Sequence, residues 1–86
     1  MIYAVIGSVT TAGRLARKMQ EAGDLSARVV HTPSEFNNGG CSYSVKTAFC
    51  SAEPIYRIAN ANRIRIKRCY RENYVNGRKV YNAISG

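Results

Sequence analysis

The chain has 86 residues, 45% of them apolar, and a formal charge of +8 from 13 basic and 5 acidic side chains. That length supports one domain, residues 1–86, with a single thin core, and the apolar fraction excludes a disordered chain. No apolar run approaches the roughly 20 residues that span a bilayer, which argues against a membrane partner.

The opening Ile2-Tyr3-Ala4-Val5-Ile6 is a continuous apolar run that stops at Gly7. Without a basic segment before it, it reads as a central strand buried on both faces and not as a signal peptide. Ala12, Leu15, Ala16, Met19 and Ala22 then recur at helical spacing, the stripe of an amphipathic helix. Ser8 or Thr10 is placed to cap its start and Gly23 to end it. Ala27 to His31 reads as a second strand. Thr32 to Cys41 holds Pro33, two asparagines and two glycines, which marks a loop.

Ser42 to Phe49 alternates Tyr43, Val45, Thr47 and Phe49 against Ser42, Ser44 and Lys46, a third strand with the first set facing the core. Ser51 is placed to cap a second helix with Glu53 and Pro54 in its first turn and Ile55, Ile58 and Ala59 on its buried side. Asn60 to Asn62 end it. Arg63 to Tyr70 reads as a fourth strand, with Ile64 and Ile66 inward and Arg65, Lys67 and Cys69 outward. Tyr74 to Tyr81 surrounds Asn76-Gly77, the signature of a β-hairpin that either extends the sheet or pairs with another subunit.

The order strand-helix-strand-strand-helix-strand predicts an α+β fold of the ferredoxin-like split β-α-β kind (βαββαβ). It has an antiparallel sheet, two helices on one face and a C-terminal hairpin extension. Residues 1–71 would form the core and 72–86 the tail. In that topology the third strand lies antiparallel between the first and second. The start of the third strand then shares a sheet end with the exit of the first strand and the start of the first helix.

Three cysteines (Cys41, Cys50 and Cys69), one histidine and the absence of a CxxC pair point to a reducing, cytoplasmic setting. They argue against a disulfide framework and a zinc site, and no motif for a cofactor is present. Cys41 is the leading chemical candidate. Gly39 and Gly40 before it let the backbone approach a ligand and leave the sulfur poorly shielded. The N-terminus of the first helix, at Ser8 and Thr10, would favour a thiolate there. His31, at the end of the second strand, is placed to orient or deprotonate it. Cys50 reads as a packing residue. Cys69, on the parity of Arg65 and Lys67, would have its pKa lowered by these cations.

Eight of the basic residues fall between Arg57 and Lys79, with Glu72 the one acid among them. Arg65, Lys67 and Arg68 are the centre of this stripe. It would draw in an anion, a nucleic acid or an acidic protein, or serve only as a solvated face.

The opening strand, the Ser/Thr-started helix and the run Thr32-Pro33-Ser34-Glu35-Phe36-Asn37-Asn38-Gly39-Gly40-Cys41-Ser42-Tyr43-Ser44-Val45 together resemble one small prokaryotic family. Its members are described as putative selenium/sulfur carrier protein-like. Pro33, Glu35, Gly40 and Cys41 carry the resemblance, which would cover residues 2 to 70. Ser34 stands where the family tends to have arginine, and Ser42 where a glycine often follows the cysteine. The resemblance implies that Cys41 accepts sulfur or selenium from a donor's persulfide or selenide, holds it as Cys–S–SH or Cys–S–SeH, and passes it to an acceptor protein. The chain would then be a carrier and not a turnover enzyme. Two other readings compete: RNA or other nucleic-acid binding through a basic sheet face with Tyr3 and Tyr43 as stacking residues, and a homodimeric regulatory or assembly domain.

Overall fold

The computed structural model describes residues 1–37, 42–48 and 51–84. Its elements run β1 (Ile2–Gly7), α1 (Val9–Glu21), β2 (Arg28–His31), a 3-10 turn (Ser34–Phe36), β3 (Tyr43–Thr47), α2 (Glu53–Ala61), β4 (Arg68–Val75) and β5 (Arg78–Ile84). The fold is α+β, with two α-helices and a five-stranded antiparallel sheet in the order β2-β3-β1-β4-β5.

β3 lies antiparallel between β1 and β2, with Ala4 opposite Val45 and Val45 opposite Val29. β4 flanks β1 on its other side and pairs Cys69 with Ala4. These registers put Ile2, Ala4, Val45, Thr47 and Cys69 on one face, because opposed residues point the same way and side chains alternate along a strand. Ile2, Ala4, Val45 and Cys69 join Leu15, Met19, Ile55 and Ala59 in a single buried cluster, so both helices cover that face. Tyr3, Lys46, Tyr70, Glu72 and Tyr81 take the other.

α1 begins where Ser8, in extended backbone, accepts from the Thr11 N–H at 3.4 Å and its carbonyl accepts from Ala12 at 2.9 Å. Thr10 is inside the first turn, so Ser8 is the cap. Ala12, Leu15, Ala16 and Met19 are buried as their spacing requires. Ala22 is instead the exposed C-cap. Gly23, at φ +108°, sits in a terminating turn with Asp24 N–H donating to Met19 O at 2.9 Å, a bond that closes the helix end. The N-cap of α2 is Ala52, not the expected Ser51, whose Oγ accepts from Glu53 N–H at 3.1 Å from one position further out. The helix ends with Asn62 Nδ2 donating to Ile58 O at 2.8 Å.

One further expectation needs correction. The fourth strand starts at Arg68, not Arg63. Arg63 has φ 56°, which ends α2 in the left-handed region, and residues 64–67 form an irregular approach. That approach resets the alternation, so Cys69 turns inward while Arg65 and Lys67 stay exposed. The hairpin around Asn76-Gly77 extends the sheet, the first of the two arrangements expected for it. β4 runs unbroken through position 71, turns at Asn76 (φ 52°) and Gly77 (φ 77°), and returns as β5 to extend the sheet. Two successive positive φ values make the I′ turn that matches the twist of paired strands.

Candidate functional site

The sheet end where β1 exits collects most of the residues that the sequence marked. Gly7 stands opposite Tyr43 after an irregularity in the β1–β3 register, and His31 stands opposite Tyr43 from the other side. The His31 and Tyr43 rings lie 4.7 Å apart, tilted by 35°. Thr32 fastens the base of the loop between β2 and β3. Its N–H donates to Ser42 O at 2.9 Å, its hydroxyl donates to Ser42 Oγ at 3.0 Å, and it shares a 2.7 Å hydrogen bond with Ser44 Oγ. Ser8 opens α1 at this same end. Gly39, Gly40 and Cys41 lie outside the described residues, as do Phe49 and Cys50.

The approach to β4 closes the other side of this end. Lys67 N–H donates to Val5 O at 2.9 Å, which lays residues 64–67 along β1. Ile6, Thr11, Arg65, Ile66 and Lys67 line a cleft of about 580 Å³ between this segment and the first turn of α1. Gly7 has φ +107°, and a Cβ on it would stand 3.0 Å from Lys67 Nζ. Glycine therefore serves both the turn out of β1 and the close approach of the ammonium group. Arg68 is exposed and pairs with Val5 on the face away from the helices, so it is separated from Arg65 and Lys67.

Cys69 departs from its expected chemistry. It is 1% exposed within the core, and burial pushes its thiol above the ordinary value, partly offset by a hydrogen bond from the Tyr56 hydroxyl. The cations of the basic stripe do not set its acidity. Tyr56 is itself pushed up to about 12 by burial and by donating to that sulfur.

A second polar cluster, absent from the sequence reading, lies on the face away from the helices. Tyr3, 5% exposed, and Tyr81 both donate to Glu72 Oε2, at 3.1 and 3.2 Å. Lys79 Nζ is 4.0 Å from the same oxygen, and Lys46 Nζ sits 5.5 Å from the Tyr3 ring centre. A stacking platform for bases needs an open aromatic face. Tyr3 is enclosed, and Tyr43 is on the helix-facing side, so the two proposed stacking residues do not form one. The sequence signal for this cluster was Glu72 itself, a lone acid in a basic run. Among the described residues there is no grouping of His, Cys, Asp and Glu side chains suited to a metal ion.

Two helices on one face of a five-stranded antiparallel sheet define a small α+β domain. The sequence model of the family described as putative Se/S carrier protein-like matches residues 1–71. The chain belongs to that family. No curated protein and no solved structure matches it. Among the described residues no helix is long and apolar enough to cross a membrane.

Proposed function

We propose that the protein is a thiol carrier that holds sulfur or selenium on Cys41 and passes it between partner proteins. The observation that carries this reading is the family match, which runs through Cys41. The exclusion of Cys69 as a nucleophile supports it, because a buried thiol with a raised pKa supplies little thiolate. The exit of β1 gives further support. Ser42, next in sequence to Cys41, is tied to Thr32, and Tyr43 pairs with Gly7 immediately before the α1 cap.

The transfer is an exchange between sulfurs. The Cys41 thiolate attacks the outer sulfur of a donor persulfide, forms Cys41–S–SH, and the donor leaves as a thiolate. The outer sulfur is passed on by the same step to an acceptor thiolate, so no net oxidant is needed. A donor carrying –S–SeH would load selenium in the same way. Donor and acceptor are proteins, and the basic stripe favours acidic ones. The domain itself is read as a ferredoxin-like βαββαβ sandwich of residues 1–71 with β5 added outside β4. What supports that reading is the order β2-β3-β1-β4 that remains when β5 is set aside.

The test is loading by a small-molecule persulfide, followed by mass spectrometry of the cysteine peptides and by transfer to a thiol acceptor. The expected result is a gain of one sulfur atom on Cys41, removed by acceptor thiol and abolished by Cys41→Ser. Unchanged loading and transfer in Cys41→Ser would overturn the carrier reading.

A further inference from the structure

We propose that the cleft at the exit of β1 binds a small tetrahedral oxoanion of the phosphate or sulfate class, held by Arg65, Lys67 and Thr11. The three residues line one cleft of about 580 Å³, from two different parts of the chain. Lys67 is held there by its backbone bond to Val5 O at 2.9 Å, and its ammonium group lies over Gly7. Arg65 contributes a planar fork of N–H donors suited to an oxoanion, and Lys67 a compact charge.

The charge balance of the molecule supports this assignment. Each of the five acidic side chains is engaged elsewhere: Glu21 with Lys18, Glu53 with Arg57, Glu72 with Tyr3, Tyr81 and Lys79, Asp24 with Ser26 and Thr47, and Glu35 with Ser34. Among the described residues neither Arg65 nor Lys67 has an ion-pair partner, and no acid lines the cleft. Two uncompensated cations on the walls of one concavity raise the local potential for an anion.

The shape selects among anions. A guanidinium and an ammonium group on the segment 65–67, with a hydroxyl on α1 across the cleft, suit an anion whose oxygens point in several directions. A tetrahedral oxoanion offers three or four such oxygens; a carboxylate offers two in one plane. This assignment is independent of the carrier reading, since its test involves no cysteine and reads anion binding alone.

The experiment is a titration of the full chain with inorganic phosphate at constant ionic strength, read by amide chemical shifts, with acetate as the second arm. The expected result is saturable shifts centred on Thr11, Ile66 and Lys67, phosphate binding at least tenfold tighter than acetate, and a loss of at least tenfold in Lys67→Gln and in Arg65→Gln. Arg78→Gln, in the distant β4–β5 hairpin, should stay within twofold. Non-saturating shifts, shifts spread evenly over the basic residues, or equal affinity for acetate would overturn the proposal. So would an effect of Arg78→Gln as large as that of Lys67→Gln.

Discussion

The Tyr3 hydroxyl on β1 donates to Glu72 Oε2 on β4 at 3.1 Å, across 69 residues of sequence. Tyr81 on β5 donates to the same oxygen at 3.2 Å, and the two tyrosine rings meet edge to face at 5.7 Å. One buried carboxylate thus fastens the outer strand β5 to the central strand β1 over the top of β4. A carboxylate at this depth is tolerated only because donors surround it.

Removing either donor should therefore cost stability. Tyr3→Phe and Tyr81→Phe are each expected to lose about 1.5–3 kcal/mol in urea unfolding, the range for hydrogen bonds to charged groups. The double variant should deviate from the sum, because the two donors share one acceptor atom. Losses below about 0.5 kcal/mol that simply add would show that the cluster contributes nothing beyond packing.

Base should weaken the same cluster. Burial first, and then the Glu72 carboxylate beside it, push Tyr3 from 10.0 up to about 12. Tyr81 is raised too, mainly by burial and then by the charge of Tyr3. A tyrosine whose folded pKa is raised keeps its proton in the native state after the unfolded chain has lost it. Its contribution is thus complete below about pH 10 and falls away as the pH rises toward 12. For Tyr3 alone the loss is about 2–3 kcal/mol at most. Unfolding midpoints measured between pH 9 and 12 should drop in the wild type and drop less in Tyr3→Phe. Identical slopes for the two would contradict this.

The sequence made the fold readable wherever local rules and burial agree. α1 is one case: Ser8 is placed to cap it, the apolar stripe is regular, and Gly23 follows its end. The Asn76-Gly77 hairpin is another, because few residue pairs adopt two positive φ values in succession. The start of β4 was not readable. Ile64 and Ile66 alternate with cations as a strand would, but Arg63 takes a left-handed φ at the end of α2 and the pairing with β1 is delayed to Arg68. That shift of phase decided the fate of Cys69. Ser44 shows a related limit. Its alternation with Val45 marks it as solvent-facing, yet it is fully buried and bonded to Thr32. The residues around the β1 exit were legible as a group because topology alone brings them together. Their division into a cationic cleft and a separate Arg68 depends on register, which periodicity does not specify.

Gly7→Ala should be destabilising for a reason that deleting Lys67 cannot repair. The Cβ would stand 3.0 Å from Lys67 Nζ, but that atom ends a flexible chain and can move. The φ of +107° remains, and L residues adopt it only under strain. The expected loss is about 1–3 kcal/mol, and Gly7→Ala should cost as much on the Lys67→Ala background as in the wild type. Full recovery in the double variant would place the whole effect in the contact and none in the backbone.

Cys69 should behave as a core residue in every assay of thiol chemistry. The residue is 1% exposed, and burial raises its pKa despite the hydrogen bond from Tyr56. In native protein, iodoacetamide should modify it only at the rate of unfolding, and the rate should not increase across pH 7 to 9 as it does for an open thiol. Cys69→Ala removes packed volume and leaves the Tyr56 hydroxyl without its acceptor, so a loss of about 2 kcal/mol is expected. The same substitution should leave persulfide loading unchanged. Rapid native alkylation of Cys69 would mean that β4 opens away from α2, and that a second thiol has to be considered alongside Cys41.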